Sequence, residues 1–233
     1  MIKAKNKTIY AIAVFYAIAI GLRYLTNKTS VLSVVENSFI KIILQGIGPT
    51  IGVIVASLIF KIKFHPMTLK GNYKQILVPF SAYWLFPILL ISTHAFLTKE
   101  SFPVLTVSMF FMYGLLEEIG WRGFLQQQLK GLPKIWNILI VGILWFIWHL
   151  NFEMTTMNLL FLGLLIFGSW GIGIVADKTN SLLAVSAFHT LNNLKTENNL
   201  IIIGILVVIW ILMIIYSERK KKRKENFFSK ISS

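Results

Sequence analysis

The chain has 233 residues, of which 23 are Lys or Arg and 9 are Asp or Glu, giving a formal net charge of +14. Charged residues make up 14% of it and hydrophobic types 56%, against roughly 25% charged in a soluble domain, so an ordinary soluble globular protein is excluded. Cysteine is absent, which excludes disulfides, thiolate metal sites and a cysteine nucleophile.

Apolar blocks long enough to cross a hydrocarbon core about 30 Å thick recur along the chain. They predict an all-α fold, a polytopic membrane helical bundle of about eight transmembrane helices. The spans fall near residues 9–25, 39–60, 76–97, 103–128, 135–152, 156–175, 181–195 and 199–216. Lys3, Lys5 and Lys7 precede the first span as they would a signal peptide. Arg23, Tyr24 and Leu25 follow it with no small-residue cleavage pattern, so it reads as a retained helix. The seventh span is short and holds His189 with two asparagines. Residues 1–216 read as one transmembrane domain, with a basic tail at 217–233.

Charge between the spans sets the expected orientation. With both termini cytoplasmic, 17 of the 23 cations fall on the cytoplasmic side, and seven of these lie in the tail. Arg23, Lys28, Lys41, Lys99 and Lys195 fall opposite, and Arg122 lies within the fourth span. Short loops obey such a bias. Beside a spanning helix the tail suits anionic lipid headgroups, so the bilayer is the expected partner and nucleic acid is not.

Most acidic residues sit at span ends or in the tail. Glu117 and Glu118 instead follow an uncharged apolar stretch, Ser101 to Leu116. An acidic side chain at a helix centre costs about 2.5–3.5 kcal/mol on insertion scales. Adjacent helix positions point about 100° apart, so the two carboxylates serve different purposes. Glu118 and Arg122 stand at i and i+4, the better orientation for an ion pair. Glu117 has no evident partner on its own helix and is expected to face a cavity.

The histidines divide in the same way. His65 and His94 sit near interfaces and read as solvated. His149 ends the fifth span, and His189 stands four residues before Asn193 on one face of the seventh. Polar groups in lipid normally point into the bundle, so a carboxylate, two imidazoles and a carboxamide from three helices are expected to share one polar cavity.

Such a set has two chemical readings. A carboxylate and an imidazole can hold a water and take its proton, while an imidazole and an amide donate to an oxyanion. Alternatively, Glu117, His149 and His189 could bind zinc with water in an open position. No H-E-x-x-H places two ligands and a base on one helix. Asp177 is the only aspartate, so an aspartate pair is impossible, and no Gly-x-Ser-Gly occurs.

Three segments in order resemble the signature of the CPBP intramembrane endopeptidases, also called the Abi or CAAX protease family. They are Glu117-Glu118-Ile119-Gly120-Trp121-Arg122, then His149, then His189 to Asn193. Trp145 stands where the family usually has Phe, which reads as a packing position. The resemblance covers about residues 103–195, the expected catalytic core. It implies that Glu117 and His149 activate water, that His189 and Asn193 stabilise the oxyanion, and that Glu118 and Arg122 orient or support. The family is described both as metallopeptidases and as enzymes using a glutamate-activated water. The second is favoured here, with no cofactor, and zinc is the alternative.

The resemblance implies an intramembrane endopeptidase acting on a membrane-associated protein or peptide. The alternative from another class is a non-catalytic immunity or scaffold protein that binds a peptide or partner membrane protein. Bacterial members are linked to bacteriocin immunity and pheromone processing, and eukaryotic members to prenylated C-a-a-X proteins. The small size, short loops and Lys/Ile-rich composition point to a multi-pass protein of a bacterial plasma membrane.

Overall fold

The computed structural model describes residues 2–62, 67–71 and 104–193, with isolated positions elsewhere. The chain divides into two compact units, residues 1–84 with 103–194, and residues 85–102 with 195–233. The helices below belong to the first. Among the described residues every regular element is helical. The expected spans at 76–97 and 199–216 lie outside the described residues, as do His65 and His94.

Helix α1 (Ile2–Lys28) is longer at both ends than the apolar block that predicts it. Its Ala11, Phe15 and Ala19, spaced at i, i+4 and i+8, are fully buried. A 3-10 turn at Ser30–Leu32 leads to α2 (Ser38–Gly46) and α3 (Gly48–Phe60), which are bent by 42° where one straight span is expected. Pro49 explains the break: it has no N–H to continue the α2 ladder, yet its fixed φ suits the first turn of α3. Gly52 lets α3 approach α1 closely, since a Cβ there would lie 2.5 Å from the Phe15 carbonyl oxygen. Small residues at such crossings are the usual means of tight packing between apolar helices.

Helix α4 (Val104–Gly120) packs on α2 and α3. The Thr50 hydroxyl donates to the Leu116 carbonyl at 2.6 Å. A Cβ on Gly120 would meet the Pro49 ring at 2.4 Å, so only glycine permits this contact. Immediately after Gly120 the helix widens into a π-helical turn, Trp121–Leu125, every residue of which is buried. It closes with the Gln126 N–H donating to the Trp121 carbonyl. Such turns recur at functional sites because they rotate the following side chains off the regular helical register.

Helix α5 (Lys134–Trp148) begins after Pro133 and ends at His149, where Leu150 takes the left-handed conformation, φ 59°. Helix α6 (Thr156–Thr179) starts from Thr155, whose hydroxyl accepts from the Asn158 N–H at 3.2 Å. It ends at Asn180, φ 50°. Helix α7 (Leu182–Asn193) is twelve residues long and is capped by Ser181, which accepts from the Ala184 N–H at 3.1 Å. A backbone bridge from Thr68 to Ser181 fixes its start.

Two described helices, over Asn6–Lys28 and Thr156–Thr179, are long and apolar enough to cross a membrane, or three if the bent α2–α3 pair forms one span. Helix α5 is apolar but shorter. Arg23, expected as a loop charge, instead lies inside α1 and is only 9% exposed. Helix α1 continues past it to Lys28 because Leu22 to Lys28 contain no helix breaker.

Candidate active site

Helices α4, α5 and α7 bring Glu117, His149 and His189 to one cavity of about 60 Å³, which Tyr113, Trp145 and Phe161 also line. Gly114 lies against α7, with the His189 ring 3.4 Å from where its Cβ would be. The expected gathering of a carboxylate and two imidazoles is present. Asn193 closes α7, but its side chain lies outside the described residues.

The Glu117 carboxylate is fully buried. Its Oε2 accepts from two indoles, Trp145 Nε1 at 2.8 Å and Trp121 Nε1 at 3.2 Å. Both contacts correct the sequence reading. Trp121, one turn on along the same helix, gives Glu117 a partner where none is evident from spacing. Trp145 is a hydrogen-bond donor as well as a packing ring, a role that Phe cannot fill. Among the described residues, Glu117 Oε1 has no hydrogen-bond partner. One edge of the carboxylate is therefore anchored and the other remains available as an acceptor.

Glu118 is buried on the adjacent face. The expected pair with Arg122 is formed, with Nη1 donating to Oε1 at 3.0 Å. The same oxygen lies 2.6 Å from His189 Nδ1. Sequence reading missed this contact, because α4 and α7 are 71 positions apart at these residues and no spacing rule links them. Arg122 also reaches the Ser169 hydroxyl on α6 at 3.4 Å and stacks on Trp145, with Cζ 4.6 Å from the ring centroid. Arg122 and Glu118 thus tie α4 to α5, α6 and α7.

His149 sits at the C-terminal end of α5, its Nδ1 2.8 Å from the Trp145 carbonyl oxygen. A carbonyl only accepts, so Nδ1 carries the proton and Nε2 is the free nitrogen of the neutral ring. In His189, the carboxylate at Nδ1 imposes the same assignment. The two imidazoles consequently present the same atom, Nε2, beyond their anchored edges. Phe161 packs edge-on to His149 at 4.9 Å and Trp145 packs against His189 at 5.1 Å, which restricts ring rotation.

Among the described residues no three His, Asp or Glu side chains are grouped to hold a metal ion. The Glu118 contact occupies Nδ1 of His189 and the two indoles occupy Oε2 of Glu117, which leaves Nε2 and Oε1 as the atoms open to the cavity.

Residues 98–195 match the family model described as Type II CAAX prenyl endopeptidase Rce1-like. This is the family that the three sequence segments resemble, and the match contains Glu117, His149, His189 and Asn193. No curated protein matches the chain.

Proposed function

Because residues 98–195 match the Rce1-like type II CAAX prenyl endopeptidase model, we propose that this chain is an intramembrane endopeptidase that cleaves a membrane-associated protein or peptide. The observation that carries this reading is the single cavity shared by Glu117, His149 and His189. Its volume of about 60 Å³ is room enough for water.

In this mechanism Glu117 Oε1 and His149 Nε2 accept hydrogen bonds from one water, and Glu117 takes a proton as the oxygen attacks the scissile carbonyl. The indoles on Oε2 leave the attacking edge of the carboxylate fixed in direction. Negative charge then develops on the carbonyl oxygen. The Asn193 amide donates to it, and His189, its Nδ1–H held by Glu118, turns Nε2 toward the same oxygen and donates from it when the ring carries both protons. Fixed donors of this kind are worth about 2.7–4 kcal/mol in comparable sites. As the C–N bond breaks, the proton passes from Glu117 to the departing nitrogen, leaving a carboxylic acid and an amine. Arg122 holds Glu118 and does not touch the reacting atoms.

The eight-span arrangement, cytoplasmic termini and a bacterial plasma membrane complete the proposal, supported by the charge bias and the apolar helices. The reaction needs no cofactor in this reading. Its test is cleavage of a peptide library by purified protein and by Glu117→Gln, each with and without a chelator. Cleavage by the wild type alone, indifferent to chelation, is expected. Activity lost to the chelator and restored by zinc would move the chemistry to a metal-bound water. Selective peptide binding with no cleavage would move the protein to the immunity or scaffold class.

A further inference from the structure

Arg23 is a cation of α1, well outside the matched residues, and nothing in the reaction as described uses it. A buried cation in an apolar helical bundle is costly and by default has a purpose. Its Nη1 donates to the Gln45 carbonyl of α2 at 3.0 Å and to the Tyr113 hydroxyl of α4 at 3.4 Å. The guanidinium lies over Trp148 of α5, with Cζ 4.2 Å from the ring centroid. With the Asn27 amide turned so that its oxygen faces Arg23, Nε and Nη2 each donate to it at 3.1 Å. Among the described residues no carboxylate lies within ion-pair distance. The Trp148 face uses this charge in packing, while the bond to Tyr113 leads from it toward the cavity.

Tyr113 supplies the link. Its ring lines the cavity of Glu117, His149 and His189. Arg23 has only protons to give, so the Tyr113 oxygen acts as acceptor toward it and its own proton must be donated elsewhere. The cavity offers an acceptor in Glu117 Oε1, which has no hydrogen-bond partner among the described residues, or in a water resting on it. A fixed cation on one side of a phenol therefore aims the O–H to the other.

We propose that Arg23 is a positioning residue for hydrolysis, orienting the Tyr113 hydroxyl so that it donates into the cavity and fixes the attacking water against Glu117. This rests on the endopeptidase reading above. It adds to the site a pair, Arg23 and Tyr113, of which the first member comes from a helix that the family match does not reach.

The test is a double-mutant cycle on the purified full chain. Tyr113→Phe is expected to lower kcat by about 10- to 100-fold with KM nearly unchanged, the scale of loss when a reactant is misplaced by about 1 Å. Arg23→Met should do the same, and the double variant should be no slower than Tyr113→Phe alone. Arg23→Lys, which keeps charge and one donor, should recover part of the rate. In protein carrying ¹³C-labelled tyrosine, the resonance lost in Tyr113→Phe should shift in Arg23→Met. An unshifted resonance would overturn the proposal, as would multiplicative effects in the double variant or full activity of Tyr113→Phe. If Arg23→Met fails to fold, Tyr113→Phe and Arg23→Lys still decide. A wild type that cleaves no peptide would remove the endopeptidase reading, whereas an active wild type with a fully active Tyr113→Phe would remove only this proposal. The resonance reports on the Arg23–Tyr113 link in either case.

Discussion

Glu118 and His189 are joined by a 2.6 Å contact between a carboxylate oxygen and Nδ1, and the same oxygen accepts from Arg122 at 3.0 Å. One buried carboxylate thus faces two groups able to carry positive charge. The pair with Arg122 is local, at i and i+4, and steadies α4. The contact with His189 is long-range and fixes which ring nitrogen of α7 is free. A local pair and a long-range contact meet on a single oxygen, so the consequences of altering Glu118 extend beyond its own helix.

Replacing Glu118 by Gln should therefore do two things. It strands Arg122 without a counter-charge, and removing one member of a buried pair costs about 3–5 kcal/mol, seen as a lower thermal midpoint in detergent. It also releases His189, so activity per folded molecule should fall. Combining Glu118→Gln with Arg122→Met should recover part of the stability and little of the activity. Full recovery of both would show that His189 does not depend on Glu118.

Glu117→Gln is expected to separate chemistry from folding. The amide preserves size and can still accept from Trp121 and Trp145, but it is no longer a base. Loss of a general base typically lowers the rate by about 10²–10⁴-fold. Membrane insertion and thermal midpoint should stay close to those of the wild type. An active Glu117→Gln together with an inactive Glu118→Gln of wild-type stability would reverse the roles of the two carboxylates.

Trp145→Phe tests the donor that the sequence reading took for packing. The ring is retained and the 2.8 Å bond to Glu117 Oε2 is lost, while Trp121 still donates. A hydrogen bond to a charged group contributes about 1.5–3 kcal/mol. We expect a rate reduction of about tenfold or more, since about 1.4 kcal/mol corresponds to tenfold. Trp145→Leu should be worse, because the rings beside His149, His189 and Arg122 then lose a wall. Wild-type turnover in Trp145→Phe would reduce this indole to a spacer.

Orientation is checked by reporters. If the chain spans eight times as proposed, 17 of its 23 cations fall on the cytoplasmic side, and fusions after Ser233 and before Met1 should both report from there. An outward-facing C-terminus would require an odd number of spans or a different reading of the first helix.

The sequence by itself determined that the chain is apolar and helical, that Glu117 and Glu118 point to different surroundings, and that Glu118 pairs with Arg122. These properties follow from composition and from the pitch of one helix, and they need no knowledge of neighbours. It also marked His149 and His189 as residues to be gathered, because ionisable groups in an apolar segment seek one another or a cavity. The tertiary structure decided which atoms meet. The indole of Trp145 on Glu117, Glu118 on Nδ1 of His189, and Arg23 beneath Tyr113 join positions 28, 71 and 90 apart in the chain. No periodicity encodes such pairs. They arise where helix faces cross at glycines and where a broken span and a π-helical turn shift the register, which depends on how side chains from separate helices share space.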